Sequence, residues 1–158
     1  MSKCGAMRAT DGALVNTVYV DTSAWVALFA NESGAAGVRQ WMLGHQESVL
    51  CSAQWCVTEF ASALSVKVRY GGISQAQADA AWAEFEQLCD GGVKLLPVET
   101  QDFSTAAMLC RVTQSAMRSG DALHLAVALR SRCKNLISLD KNLNLNARAN
   151  DLNVVALV

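Results

Sequence analysis

No apolar run in this sequence approaches the roughly 20 residues that a membrane-crossing helix needs. The opening "MSKCGAMRATDGALVNT" also lacks the apolar segment of a signal peptide. Both absences lead us to expect a cytoplasmic protein with no membrane partner. CxxC pairs are missing too, the six cysteines standing singly at 4, 51, 56, 89, 110 and 133. Most fall where a helix or strand would bury a small hydrophobe, so they read as reduced core residues. The two histidines, His45 and His124, lie far from any cysteine pair, which argues against a zinc site. Strong net charge is lacking as well, the formal value being only −1, and this argues against a protein that grips nucleic acid with its whole surface. No internal repeat, low-complexity tract or linker divides the chain. Its 158 residues, 52% of them hydrophobic, suffice for one domain with a substantial core.

The charge that is present is uneven. Residues 31–110 hold nine acids against four bases, whereas 111–148 hold seven bases (Arg111, Arg118, Arg130, Arg132, Lys134, Lys141, Arg148) against two acids. That segment is either a set of solvated helix faces or a basic patch.

Short apolar strands alternate with helices. "TVYV" has the β-branched and aromatic character of a strand, and the Asp, Thr and Ser after it are turn and N-cap types ahead of "AWVALFA". Helices are expected at 35–44, 54–70, 74–90, 100–116 and 120–132. The third is capped by Ser74 and stopped by Gly91-Gly92, and it forms a hairpin with the second. "SVLCS", "VKLLPV", "LISL" and "VVALV" read as strands, and Pro97, the single proline, suits a sheet edge. "DKNLNLNARAND" reads as loop. The alternation predicts an α/β fold, a three-layer α/β/α sandwich around a mainly parallel sheet. Residues 1–16 are expected to be a disordered leader and 17–158 the domain.

In such folds the functional crevice lies beyond the carboxyl ends of the strands. Asp21 directly follows "VYV" and Asp140 directly follows "LISL". Asp121 sits one turn into a helix whose N-terminus belongs on the same rim, and Glu59 lies in the second turn of the 54–70 helix. Each has a structural explanation taken alone: Asp21 as an N-cap, Asp121 against a helix dipole, Asp140 at a turn, Glu59 facing solvent. Together the four acids would repel one another and raise each other's pKa, a conflict that a divalent cation removes. Hard carboxylate oxygens suit Mg²⁺ or Mn²⁺ and imply a phosphate-bearing substrate. His124 shares the face of Asp121, and a histidine bonded to backbone or to a nearby carboxylate is preferred to a proton carrier. Thr22, Ser23 and Ser119 could orient carboxylates or water, although Ser23 and Ser119 are also N-cap types.

"VYVDTSAWVALFANE", "TEFASAL", "SGDALHLAVAL" and "ISLDKNLN", in that order, resemble the successive motifs of PIN-domain ribonucleases, in particular VapC-like toxins of type II toxin–antitoxin systems. The resemblance spans 18–158. It implies a PIN-like nuclease domain with an acidic pocket that binds Mg²⁺ or Mn²⁺ and hydrolyses RNA, a cognate antitoxin protein, and a homodimer. Its acidic positions fall on Asp21, Glu59, Asp121 and Asp140, as catalytic and metal-binding residues. Trp55 and Trp82 on the 54–90 hairpin serve either such contacts or ordinary core packing. Asn144 stands where some relatives carry a further acid, which leaves one or two metal ions open. Two alternatives remain: a PIN-like module that binds RNA or protein without cutting, and a dehalogenase-type phosphohydrolase with Asp21 as nucleophile. The second normally needs an aspartate where Ser23 stands.

Overall fold

The run at 17–20 forms β1 (Thr17–Val20), whose alternation sends Val18 and Val20 into one core and Tyr19 into the other. That is the period-2 geometry of a strand covered on both faces. In the computed structural model, which describes residues 16–157, four further strands join it: β2 (Val49–Ala53), β3 (Lys94–Leu96), β4 (Asn135–Ile137) and β5 (Asn153–Val154). Every neighbouring pair is parallel, and the order is β3-β2-β1-β4-β5.

Parallel strands need crossovers, and the helices supply them on both faces. One core joins Val18, Val20 and Ile137 to α1 (Thr22–Phe29), α2 (Ala35–Gly44), α3 (Trp55–Arg69) and α4 (Gln75–Gly91). The other joins Tyr19, Cys51, Ala53 and Leu136 to α5 (Thr100–Arg111), α6 (Ser119–Arg130) and α7 (Lys141–Ala149). This is the α/β/α sandwich expected. Ser74 caps α4 in a reciprocal box with Gln77, and α3 and α4 pack together. Pro97 directly follows the edge strand β3. Trp55 and Trp82 are half-buried against the two cores.

The buried Asp102 clamps α5 to α6. Its Oδ1 accepts Arg130 Nε at 2.8 Å, and its Oδ2 accepts Arg130 Nη2 at 3.0 Å and the Glu99 N–H at 2.8 Å. Burial alone would raise the Asp102 pKa, but the guanidinium and the backbone donor hold it below the usual carboxylate range. The five described cysteines are free, with Cys51, Cys56 and Cys133 buried.

Three expectations require correction. "DKNLNLNARAND" is largely helix: Asp140 accepts the Leu143 N–H at 2.7 Å as N-cap, and Leu143 and Ala147, four apart, are both buried. Its asparagines, poor helix formers, are spent on bonds such as Asn146 Nδ2 to Asn142 O at 2.8 Å. The helix expected over 100–116 stops at Arg111, because Ser115 Oγ donates to Leu109 O at 3.1 Å and accepts the Met117 N–H at 3.3 Å. Such local bonds compete with helix continuation. The closing strand is two residues, not 154–158. Of the leader 1–16, all but Asn16 lies outside the described residues; Asn16 O accepts the Val49 N–H at 3.0 Å.

Candidate active site

β1 and β4 are neighbours, and the chain leaves them toward opposite faces of the sheet, creating a crevice at their carboxyl ends. Asp21 follows β1 immediately and caps α1. Asp140 stands three residues past β4, not directly after the strand, and caps α7. Glu59 arrives on α3 from one face and Asp121 in the first turn of α6 from the other. All four line one open cleft of about 610 Å³, together with Thr22, Ser23, Lys67 and Arg118.

Each acid is held differently. Asp21 is 3% exposed. Its Oδ2 accepts Ser23 N–H at 3.2 Å, Ser23 Oγ at 2.6 Å and Ser138 Oγ at 2.9 Å, while its Oδ1 lies 3.7 Å from His124 Nε2. Ser138 Oγ also accepts the Asp140 N–H at 3.0 Å, so one hydroxyl spaces two of the acids. Glu59 Oε2 accepts Thr22 Oγ1 at 2.5 Å and His124 Nε2 at 2.5 Å. Gly120 packs so closely that a Cβ there would lie 2.7 Å from Glu59 Oε1.

The electrostatics follow. Burial would raise the Glu59 pKa, but bonds from His124 and Thr22 and the nearby Trp55 N–H bring it below the usual value. Asp121 has no such donors among the described residues: burial, and then the charges of Asp140, Asp21 and Glu59, push it up to about 6. Burial opposes a charge on His124, yet Glu59, Asp21 and Asp121 raise its pKa overall.

Among the described residues no three acids, thiols or imidazoles are arranged to hold a metal ion by themselves. The donor set nonetheless fits a hard cation. It offers carboxylate oxygens only, in an open cleft where like charge already destabilises the ionised form of Asp121, and Mg²⁺ commonly completes its octahedron with waters.

His124 is buried beneath the cleft rather than lining it. Ser119 lines a separate apolar groove with Trp55, Val98, Phe103 and Leu123, not the acidic cleft, and Arg118 rather than Ser119 holds the N-cap position of α6. Asn144 Nδ2 donates to Ser138 O at 3.0 Å and does not line the cleft. Sequence reasoning missed Tyr19, Gly120 and Ser138. For Ser138 a signal existed, a hydroxyl inside the apolar run "LISL"; Tyr19 looked like an ordinary strand aromatic.

The chain shares its fold with several solved structures. Mycobacterium tuberculosis VapC20, described as a sarcin–ricin loop cleaving toxin, matches with TM-score 0.64 at 20% identity, over 82% of this chain and 94% of that one. VapBC2 from Rickettsia felis, bound to a promoter DNA fragment, gives 0.66 at 10% identity over 90% and 99%. VapBC-5 from M. tuberculosis gives 0.57 at 17% identity over 90% and 99%. No curated protein matches the sequence. The PIN domain family model spans residues 18–149, most of the domain and all four acids, and the chain belongs to the PIN domain family.

Proposed function

We propose that the protein is a metal-dependent endoribonuclease, the toxin of a type II toxin–antitoxin pair, hydrolysing RNA phosphodiester bonds with Mg²⁺ or Mn²⁺ held by Asp21, Glu59, Asp121 and Asp140. The observation that supports this best is the convergence of four carboxylates, from four separate elements, on one open cleft of a PIN domain. A bound divalent ion would neutralise their mutual repulsion, activate a water and stabilise the leaving oxygen of an in-line displacement.

The chain's own residues supply position and charge. Ser23 and Ser138 occupy Asp21 Oδ2, which fixes the carboxylate and leaves Oδ1 free of hydrogen bonds among the described residues. Thr22 and His124 keep Glu59 ionised and in place. Of the seven bases in 111–148, only Arg118 lines the cleft. Its backbone carbonyl accepts the Ala122 N–H, but its side chain has no hydrogen bond or ion pair among the described residues, so its guanidinium is available to an RNA phosphate. Lys67, the other cleft base, is paired with Glu32, and Arg130 is consumed by Asp102 and Glu99.

VapC20 is described as a sarcin–ricin loop cleaving toxin and VapBC-5 as a member of the VapBC family of toxin–antitoxin systems. The shared fold supports an RNA substrate and a cognate antitoxin here, and a homodimer and a cytoplasmic setting complete the reading. No described helix is long and apolar enough to cross a membrane. The dehalogenase-type alternative loses its basis with PIN membership, and Ser23 acts as a donor to Asp21 where that chemistry needs an acid.

The test is cleavage of a mixed cellular RNA pool by antitoxin-free protein with Mg²⁺, with Mn²⁺ and with chelator, beside Asp121→Asn. Discrete metal-dependent cuts that the folded variant fails to make are expected. Folded proteins that bind RNA and leave it intact under every ion would refute the nuclease and favour a binding module.

A further inference from the structure

Behind the cleft, a chain of hydrogen bonds runs from the sheet to Glu59. The Ala53 N–H of β2 donates to Tyr19 Oη at 3.0 Å, Tyr19 Oη lies 2.7 Å from His124 Nδ1, and His124 Nε2 lies 2.5 Å from Glu59 Oε2. Tyr19 is 0% and His124 1% exposed, so water cannot replace the bonds that join Ala53, Tyr19 and His124. The proton positions follow from the chemistry of the groups. An ionised carboxylate only accepts, so Nε2 must carry a hydrogen toward Glu59. Thr22 Oγ1, 3.1 Å from the same nitrogen, spends its own hydrogen on Glu59 Oε2 at 2.5 Å. In the neutral imidazole Nδ1 is then bare, and it accepts the hydroxyl hydrogen of Tyr19, whose Oη already accepts from Ala53.

We propose that Tyr19 is a positioning residue for Glu59, acting through His124, an inference that rests on the nuclease reading of the cleft. Glu59 reaches the site on a long, rotatable side chain that is 26% exposed, so without a directed donor it can swing toward solvent. Tyr19 fixes the imidazole tautomer, the tautomer presents Nε2–H, and that donor holds the carboxylate where a cation would meet it. The arrangement has the logic by which outer-shell partners orient ligands in metal sites. It ties β1, β2, α3 and α6 to one carboxylate, through residues 105 apart in sequence between Tyr19 and His124.

The test removes one oxygen. In wild-type protein at pH 8, nitrogen-15 NMR should find the His124 proton on Nε2 and Nδ1 bare. In Tyr19→Phe the second tautomer should appear. Calorimetric Mn²⁺ affinity should fall about 10–100-fold, and kcat on RNA should fall with KM little changed. His124→Gln, which retains an N–H near the Nε2 place, should recover affinity that His124→Leu loses. A wild-type proton on Nδ1, or a Tyr19→Phe protein with wild-type tautomer and Mn²⁺ affinity, overturns the proposal. If Tyr19→Phe does not fold, equal Mn²⁺ affinity in His124→Gln and His124→Leu overturns it instead. Wild-type protein that binds no Mn²⁺ and cuts no RNA refutes the nuclease reading, while the tautomer comparison still decides whether Tyr19 governs His124.

Discussion

Replacing Gly120 with alanine adds one methyl group aimed at the Glu59 carboxylate. The new Cβ would lie 2.7 Å from Glu59 Oε1, where ordinary contact begins at 3.4 Å, so the oxygen must retreat by about 0.7 Å. The tip of a free glutamate would do so cheaply, but Oε2 is held by Thr22 and His124, each at 2.5 Å. Retreat therefore strains or breaks those bonds. The fold should barely notice. Alanine is favoured over glycine by up to about 1 kcal/mol in a helix, which offsets a hydrogen bond worth about 1 kcal/mol. The melting temperature should stay within about 4 °C of wild type. The site should notice strongly, because a functional constellation tolerates displacements of only about 0.5 Å. A shift approaching 1 Å costs on the order of 10–100-fold in rate. The assay pairs a thermal melt with single-turnover RNA cleavage and Mn²⁺ calorimetry. Wild-type cleavage and affinity in a folded Gly120→Ala protein would refute the placement of Glu59. A melt lowered by more than about 10 °C with a parallel loss of activity would make Gly120 a packing residue instead.

Other outcomes follow from the same geometry. Arg118→Gln should weaken RNA binding and reduce the salt slope by about one unit in fluorescence anisotropy with chelator present; an unchanged slope places the phosphate contact elsewhere. Metal-free protein should lose stability as pH rises from about 4 to about 6. Asp121, with a folded pKa of about 6 against about 3.9 unfolded, binds its proton more tightly when folded, so its contribution is complete below the unfolded value and lost through the folded one. The effect should be about 2 kcal/mol after solvent screening, reversed by excess Mg²⁺ and absent in Asp121→Asn; melts that ignore both pH and Mg²⁺ contradict it. Asp102 has the opposite sign. Its depressed pKa gives stability that is full above about pH 3.9 and lost as pH falls through the lower folded value. Asp102→Ala should cost about 1.5–3 kcal/mol at neutral pH, and a chemical-denaturation midpoint equal to wild type would show the clamp to be idle.

Much of the fold was readable because its signals are local. β-branched and aromatic runs, Ser74 with Gln77, and paired glycines act within a few residues, and they set most strands and helices. α7 escaped because its asparagines weigh against helix in propensity, whereas the burial of Leu143 and Ala147 against the second core outweighs that cost. The end of α5 escaped because it depends on where one hydroxyl, Ser115, finds a carbonyl.

The sequence by itself determined which acids exist, the place of Asp21 behind β1 and of Asp121 at the start of α6, and the PIN motifs around the four acids. Strand order and the two-faced cover decided the rest. Placing β4 beside β1 brought Ser138 between Asp21 and Asp140, and laying α3 and α6 over the same rim brought Glu59 against Gly120 and His124. Tertiary packing also chose Arg118 from seven bases and turned Ser119 into an apolar groove. Distances of 2.5–3 Å between residues dozens of positions apart carry no local sequence signal. They exist only once burial has fixed the layers against one another.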